Sequence, residues 1–210
     1  MKAGVIGLRM GKSHLIGYKQ NPYTQPFGIC DIDEDTLKKT QKEFDIPFAT
    51  TDYKDLLKIK DIEIVSVATP DYYHKQQCVD GLLAGKHVLC EKPLALNIDD
   101  CIDIIKAEKK SGKKFMIGQV CRFAPGFVLT KEIIDSGEIG ELFFVESEYA
   151  HNYRVAEGTG KWRKDKKRKP FIGGGCHAVD LLRWIAGDPV EVFAYSNHKC
   201  LDDWPVDDAT

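Results

Sequence analysis

The sequence predicts an α/β protein that begins with a doubly wound parallel sheet. Short β-branched apolar runs alternate with longer amphipathic stretches, which is typical of repeated strand, helix, strand units. One such run, residues 64–68, has the sequence Ile-Val-Ser-Val-Ala and is apolar at nearly every position, as expected of a strand that helices cover on both faces.

The predicted elements alternate through the first 120 residues. Strands are expected at Lys2–Ile6, Phe27–Cys30, near Phe48, and at Ile64–Ala68, Lys86–Leu89 and Phe115–Ile117. Helices are expected to start near Gly11, Asp33, Asp52, Tyr72 and Ile98. Several of these starts lie at an Asp or Asn, whose side chain can cap the exposed amides of a first helical turn.

The regular alternation stops between Gly118 and Pro125, and the elements that follow are longer. We therefore predict one domain over residues 1–120 and a second, α+β domain with a mostly antiparallel sheet over residues 121–210. Its expected elements are helices at Phe127–Ser136 and around His177–Ile185, and strands at Glu141–Ala150 and Val190–Asn197. The last four residues resemble a loop that enters another strand, so we expect the second domain to be incomplete.

Composition and charge narrow the class of protein. The chain has 210 residues, of which 43% are hydrophobic and 30% charged, as in ordinary soluble globular proteins. A net charge of -2 predicts neither a nucleic-acid nor a membrane partner, and the basic stretch 161–169 is interpreted as a solvated face. No basic leader precedes an apolar segment, and no apolar run approaches the roughly 20 residues that a membrane helix needs. We expect a cytoplasmic protein.

The cysteines predict reduced thiols and no metal site. There are seven, an odd number, and none forms a C-x-x-C pair. Cys176 and His177 are the only adjacent Cys/His pair, which is too few ligands for a metal ion. Cys176 also has no evident base that would make it a nucleophile.

A glycine loop follows the first predicted strand. Its sequence is Gly7-Leu8-Arg9-Met10-Gly11, and it opens a helix whose exposed amides can hold the diphosphate of a dinucleotide. Glycine is needed there because a Cβ would keep the backbone away from the phosphates. The usual G-x-G-x-x-G is not intact, since Arg9 replaces the second glycine or the loop is shortened, and a tight turn without a ligand is the alternative interpretation.

Asp31 ends the second predicted strand, about 20 residues after the last glycine of the loop. Its carboxylate can accept hydrogen bonds from both ribose hydroxyls and would repel a 2′-phosphate, which favours NAD over NADP. Arg9 leaves NADP open, because a guanidinium can bind a phosphate of either dinucleotide.

Three clusters each follow a predicted strand of the same sheet: Gly7, the triplet Ala68-Thr69-Pro70, and the triplet Glu91-Lys92-Pro93. Parallel strands place their carboxyl ends at one edge, where open α/β sheets bind ligands. The ring of Pro93 restricts the backbone beside Lys92, which suits a group that transfers a proton.

Together these motifs resemble the Gfo/Idh/MocA oxidoreductases, which include glucose-fructose oxidoreductase and inositol dehydrogenase. The resemblance extends over nearly the whole chain. It covers the glycine loop, Asp31, Ala68-Thr69-Pro70 with His74, residues 85–95, Gly118, residues 122–125, Trp162-Arg163 and residues 173–180.

The resemblance implies a Rossmann domain and hydride transfer between NAD(P) and a hydroxyl or carbonyl carbon of a sugar, polyol or related metabolite. It assigns proton transfer to Lys92, and places His177 beside the substrate hydroxyl as the second catalytic candidate. A lysine amine is protonated at neutral pH, so it serves as a base only where burial or a nearby positive charge favours its neutral form. The implied cofactor-binding residues are Gly7, Leu8, Arg9, Met10, Asp31, Ala68, Thr69, Pro70, His74, Glu91 and Lys92. Those implied at the substrate are Arg122, Trp162, Arg163 and Asp180. A homo-oligomer formed through the second domain is also expected.

One departure from the family pattern leaves the activity open. The family commonly carries a carboxylate four residues before this histidine, and this chain has Gly173 there. Either the substrate is held differently or activity is reduced. A catalytically weak dinucleotide-binding sensor, or a fragment of such an enzyme, is therefore the alternative function.

Overall fold

The chain divides after Gly118 into two compact units. The computed structural model describes residues 1–152, 165–167, 171–201 and 207. The first unit contains a six-stranded parallel sheet with strand order β3-β2-β1-β4-β5-β6, which confirms the predicted doubly wound parallel sheet. The strands are β1 Lys2–Ile6, β2 Gln25–Cys30, β3 Phe48–Thr50, β4 Ile62–Val67, β5 His87–Glu91 and β6 Phe115–Gly118.

Strand order reverses beside β1, because β2 pairs with one edge of β1 and β4 with the other. A chain that winds outward in both directions from a central strand leaves a crevice at the carboxyl ends of the strands next to the reversal. The loops after β1, β2, β4 and β5 therefore border one ligand-binding edge.

Five helices cover this sheet: α1 Leu8–Gln20, α2 Glu34–Phe44, α3 Tyr53–Lys58, α4 His74–Leu83 and α5 Ile98–Ser111. The side chains of Asp33, Asp52 and Asn97 accept hydrogen bonds at 2.7, 2.9 and 2.8 Å from backbone amides in the first turns of α2, α3 and α5. These contacts confirm the predicted capping, and each stabilises the start of its helix.

The core has two layers, one on each face of the sheet. Apolar side chains of α1 and α2 pack against one face, and those of α3, α4 and α5 against the other. In β4, Val65 and Val67 lie in one layer, while Ile64 packs against the other. Complete burial of such a side chain contributes roughly 1.5–3 kcal/mol. The sheet is thus held on both faces, and the loops at its carboxyl edge start from fixed positions.

The second unit contains α6 Pro125–Asp135 and α7 Cys176–Ala186, and a π-helical turn at Phe171–Gly175 leads directly into α7. Pro125 occupies the start of α6, where its missing amide proton costs no helical hydrogen bond. Both helices agree with the predicted ones to within two residues at each end.

The predicted second sheet is not seen in the described residues of this unit. Residues 141–150 and 190–197 contain no strand, and residue 197 forms only an isolated bridge. Phe143 and Phe193 are largely exposed. Apolar patterning indicates which side chains could face a core, but a strand forms only where a neighbouring segment supplies a ladder of hydrogen bonds, and beyond that bridge the described part of this unit supplies none to these segments.

Candidate functional site

The turn from β1 into α1 requires glycine at position 7. Gly7 has a φ of +85°, and a Cβ there would lie 2.7 Å from the carbonyl carbon and oxygen of Ala68. Its N–H donates to the carbonyl oxygen of Cys30 at 2.8 Å. The backbones after β1, β2 and β4 are therefore close together, with no space for a side chain between them.

The first turn of α1 presents backbone amides at the carboxyl edge of the sheet. Leu8 N–H donates to Oδ2 of Asp31 at 2.8 Å, and Gly7 has no side chain with which to cap the helix. The amides of Arg9 and Met10 have no carbonyl acceptor within the helix, because the first amides of any helix lack one. The side chain of Arg9 is exposed. Two amides at a helix N-terminus are thus available to a phosphate.

Asp31 joins this turn to the end of β2. Besides the bond from Leu8, its Oδ1 accepts a hydrogen bond from the N–H of Asp33 at 3.0 Å. A carboxylate has about four acceptor positions, so Asp31 can still accept from two ribose hydroxyls. The pKa of Asp33 is lowered mainly by its hydrogen bonds with Thr36, with a smaller contribution from the charge of Arg9. The turn, the free amides and the carboxylate together fit a dinucleotide.

His74 connects the loops that follow β4 and β5. Its imidazole is 1% exposed, with Nδ1 2.8 Å from the carbonyl oxygen of Pro93 and Nε2 2.9 Å from that of Thr69. Thr69 in turn donates from its hydroxyl to Oε1 of Gln77 at 2.6 Å. The resemblance implies a cofactor contact for His74, and its ring nitrogens lie against carbonyls of both loops, so it holds these loops together.

Glu91 and Lys92 lie where β5 ends. Glu91 is the last residue of the strand and pairs with Gly118 of β6, and Lys92 is half-buried in the loop that follows. The backbone N–H of Lys92 donates to Oε2 of Glu91 at 3.3 Å. The peptide bond between Lys92 and Pro93 is cis. The triplet therefore stands at the sheet edge that the sequence predicted for it.

Sequence reasoning missed a buried network behind Glu91. Nε2 of His14 lies 2.9 Å from Oε1 of Glu91, and Nδ1 lies 3.0 Å from Oγ of Ser66. The hydroxyl of Tyr18 is 2.7 Å from the same Ser66 oxygen. Two signals were present in the sequence: Ser66 is the only polar residue in the apolar run 64–68, and His14 and Tyr18 share one helix face at a spacing of four.

This network affects the ionisation of its members. Burial alone would raise the pKa of the Glu91 carboxyl, but the hydrogen bond and charge of His14, with smaller contributions from Lys92, bring it below its ordinary value. Burial raises the pKa of Tyr18, and its bond with Ser66 opposes this in part. Glu91 is therefore an anion and Tyr18 a neutral phenol at neutral pH.

In the second unit, His177 lies in the first turn of α7. Its Nδ1 is 3.4 Å from Sγ of Cys121, and its ring centroid is 5.5 Å from that of Tyr149. A Cβ at Gly174 would lie 2.7 Å from the Tyr149 ring, so the glycine allows the aromatic ring to approach the turn before α7. The imidazole is thereby held from two sides.

Arg122 and Asp180 bind each other. Nε and Nη2 of Arg122 donate to the two carboxylate oxygens of Asp180, both at 2.8 Å, and the guanidinium lies 5.7 Å from the centroid of the Trp184 ring. The bond with Asp180 raises the pKa of Arg122. Trp162 and Arg163, also predicted at the substrate, lie outside the described residues, as does most of the basic stretch 161–169.

In the part of the chain that the structure describes, no helix is long and apolar enough to cross a membrane. No three His, Cys, Asp or Glu side chains converge there as metal ligands. All seven cysteines are free thiols.

Comparison with protein families decides the assignment that the motifs suggested. A family model described as an oxidoreductase family with an NAD-binding Rossmann fold matches residues 1–119, and a model of the GFO/IDH/MocA C-terminal domain matches residues 127–210. The chain belongs to the Gfo/Idh/MocA oxidoreductase family. The prediction of an NAD-binding oxidoreductase fold is thereby confirmed.

Individual relatives of this Gfo/Idh/MocA chain include inositol dehydrogenases. It is 32% identical over 192 residues to inositol 2-dehydrogenase of Salmonella typhimurium, covering 90% of this chain and 55% of that protein. It is 31% identical over 194 residues to inositol 2-dehydrogenase/D-chiro-inositol 3-dehydrogenase of Lactiplantibacillus plantarum, covering 89% and 53%. The chain thus spans about half the length of these curated relatives.

A solved structure shows the same fold with ligands. Scyllo-inositol dehydrogenase from Lactobacillus casei, with bound NAD(H) and scyllo-inositol, has a TM-score of 0.80 and 25% identity to this chain, covering 88% of this chain and 56% of that one. The ligands in that structure are those of the L. casei enzyme.

Proposed function

We propose that this protein is an NAD-dependent dehydrogenase of a polyol or sugar, with an inositol as the first candidate substrate. The observation that carries the proposal is the placement of the Gly7 turn, Asp31 and Lys92 at the carboxyl ends of β1, β2 and β5 in one sheet. Relatives of 31–32% identity that are named inositol dehydrogenases support the substrate class.

Residues 1–120 would bind the cofactor. The amides of Arg9 and Met10 would hold the diphosphate, and the Asp31 carboxylate would accept hydrogen bonds from the adenosine ribose hydroxyls. A 2′-phosphate there would meet the Asp31 charge, so NAD is preferred to NADP. Ala68, Thr69 and Pro70 would line the same edge. When bound, NAD supplies the carbon that accepts the hydride.

Lys92 would move the proton. During oxidation the substrate carbon gives up a hydride, and the proton of its hydroxyl passes to the amine of Lys92, which acts as the base. In the reverse direction the ammonium of Lys92 donates a hydrogen bond to the carbonyl oxygen and then transfers its proton. Glu91 would keep the start of the lysine side chain in place through the Lys92 amide.

Residues 121–210 would bind the substrate. We assign contact with a substrate hydroxyl to the imidazole of His177, whose ring Cys121 and Tyr149 orient. Arg122 and Asp180 bind each other, so we assign to this pair the support of α7. We also assign to it polar contacts with the substrate through the atoms that the ion pair leaves available. Gly173 is buried and supplies no carboxylate, which leaves substrate orientation to His177. A cytoplasmic location and a homo-oligomer formed through this unit stay predictions.

Cofactor binding and turnover together test the proposal. Purified protein would be titrated with NADH while nucleotide fluorescence is followed, and NADH formation would then be measured with NAD and a panel of myo-inositol, scyllo-inositol and common aldoses. Binding together with turnover of at least one polyol or sugar is expected. Binding without turnover on the whole panel would contradict the dehydrogenase function and support a dinucleotide-binding sensor or an inactive fragment.

A further inference from the structure

Four side chains of the first unit form one hydrogen-bonded chain that ends on a carboxylate. It runs from the hydroxyl of Tyr18 through Oγ of Ser66 to the ring of His14 and then to Oε1 of Glu91, with separations of 2.7, 3.0 and 2.9 Å. Ser66 is fully buried, Tyr18 is 8% exposed, and the side chains of His14 and Glu91 are 11% and 13% exposed. A chain of this kind is costly to bury unless each member is satisfied, and here each member has a partner.

The carboxylate fixes the proton at one end of this chain. A carboxylate only accepts, so Nε2 of His14 carries the hydrogen that faces Glu91. At the other end, either the phenol of Tyr18 or the hydroxyl of Ser66 can be the donor of their shared bond. Ser66 lies between two partners and can accept from one and donate to the other. The imidazole is thus oriented through both of its nitrogens and cannot turn without breaking a buried contact.

The second carboxylate oxygen of Glu91 accepts a hydrogen bond from the backbone of Lys92, the catalytic candidate. Oε1 faces His14, and Oε2 accepts the backbone N–H of Lys92 at 3.3 Å. With both oxygens engaged, the carboxylate connects α1 to the residue that begins the loop after β5. Small displacements of a reacting group can cost about 100-fold in rate, so an anchor at this point matters for the direction of the lysine amine.

We propose that His14 is a positioning residue for Lys92: by holding the Glu91 carboxylate, it fixes the direction in which the lysine side chain leaves the end of β5. This inference rests on the proposed function, because it gives His14 a part in the proton transfer of Lys92. It predicts that His14 influences the rate of turnover and leaves cofactor affinity unchanged.

Two conservative substitutions separate the contacts of His14. In His14→Gln the side-chain amide nitrogen reaches the place of Nε2 and can donate to Glu91. In His14→Asn the shorter side chain reaches only the place of Nδ1, beside Ser66, and leaves Glu91 without its donor. His87→Asn is the matched control. His87 lies on β5, the strand that ends at Glu91, and its Nδ1 accepts the Lys114 amide at 2.9 Å, away from the site.

Two measurements on the full chain are needed: hydrogen exchange of the Lys92 amide at single-residue resolution, and kcat with NAD and myo-inositol as the probe substrate, alongside the Kd for NADH. For His14→Asn we expect Lys92 amide exchange about tenfold faster than wild type. Its kcat should fall by about 10- to 100-fold, with the NADH Kd within about twofold. His14→Gln should stay within about threefold of wild type on every measure, and His87→Asn should match wild type.

Equal Lys92 exchange in His14→Asn and His14→Gln would overturn the proposal. Loss of NADH affinity in proportion to kcat would also overturn it, since that result indicates general disruption of the unit. If wild type does not oxidise myo-inositol, the proposed function fails for that substrate, and the difference in exchange between the two variants alone decides the role of His14.

If His14→Asn does not fold, Glu91→Gln replaces it. A carboxamide has one acceptor oxygen, so either His14 or the Lys92 amide must lose its acceptor. Faster exchange at Lys92, or a changed His14 ring resonance, supports the proposal. The absence of both changes would contradict it.

Discussion

The Nε2 atom of His14 on helix α1 lies 2.9 Å from the Glu91 carboxylate at the end of strand β5. The two residues are 77 positions apart in the sequence. The same helix presents its first amides where a diphosphate would bind, so α1 holds both the cofactor cradle and the strand end that carries Lys92. Two requirements of the proposed reaction, a bound cofactor and a directed amine, therefore depend on one rigid element.

The ionisation of Glu91 should make stability depend on pH in acid. Its pKa is below the ordinary value, because the bond and charge of His14 outweigh the effect of burial. A carboxyl of this kind stabilises the fold above the pKa it has in the unfolded chain, about 4.3, and the contribution is lost as the pH falls through the lower folded value. Glu91→Gln is expected to unfold at lower urea concentration than wild type at pH 7, with the difference shrinking below about pH 4. An equal difference at both pH values would contradict this account.

Replacement of Gly7 should disrupt the turn into α1. In Gly7→Ala the positive φ and a Cβ 2.7 Å from the Ala68 backbone are both unfavourable, and we expect a loss of at least about 2 kcal/mol in the free energy of unfolding. Gly17→Ala is the control in the same helix, because nothing lies within 4 Å of its added Cβ. It should stabilise the protein by about 0.5–1 kcal/mol. Urea denaturation measures both variants, and a stable Gly7→Ala protein would show that the turn is wrongly described.

Asp31 should set the preference between the two dinucleotides. Asp31→Asn removes the negative charge and leaves one side-chain oxygen. In the native protein each of the two carboxylate oxygens accepts one backbone amide, so the single oxygen of the variant must accept both. We expect the NADH Kd to rise by about tenfold and NADPH to bind better relative to NADH. Asp35→Asn, an exposed change in the first turn of α2, should leave both affinities unchanged. An unaltered NADH to NADPH ratio in Asp31→Asn would contradict the assignment of Asp31 to the ribose.

Lysine should replace Arg122 in the pair with Asp180 only with some loss of stability. Arg122→Lys keeps the charge but loses one of two parallel hydrogen bonds and the planar contact with Trp184. Because the arginine side chain is 40% exposed, we expect a modest loss of about 0.5–1 kcal/mol. Arg183→Lys is the control, since Arg183 and its partner Asp188 are both largely exposed. Chemical denaturation measures the free energy of unfolding of both variants. A larger loss in Arg183→Lys than in Arg122→Lys would contradict this prediction.

Local chemistry made the first unit predictable from its sequence. A capping side chain and an apolar run each act within a few residues, so Asp33, Asp52 and Asn97 mark helix starts, and the strands could be placed to within two residues at most ends. The location of Lys92 at the ligand edge followed from the rule that parallel strands end together. Family resemblance added the roles of individual residues.

Contacts between distant segments were not predictable in the same way. Helical periodicity shows that His14 faces inward, but not that its partner is Glu91. Nothing in the sequence showed that Asp180 pairs with Arg122, 58 positions away. The strands expected at residues 141–150 and 190–197 are not seen in the described structure, and a similar reason applies: alternation along a segment does not reveal whether another strand is present to bind it.

The most direct test of the central claim compares Lys92→Ala with wild type in two measurements on the same preparations, the Kd for NADH and kcat on a substrate that wild type oxidises. General acid–base groups contribute about 10²- to 10⁴-fold, so we expect kcat to fall by at least about 100-fold while the NADH Kd stays within about threefold. Turnover by Lys92→Ala comparable to that of wild type would remove Lys92 from the reaction and contradict the account.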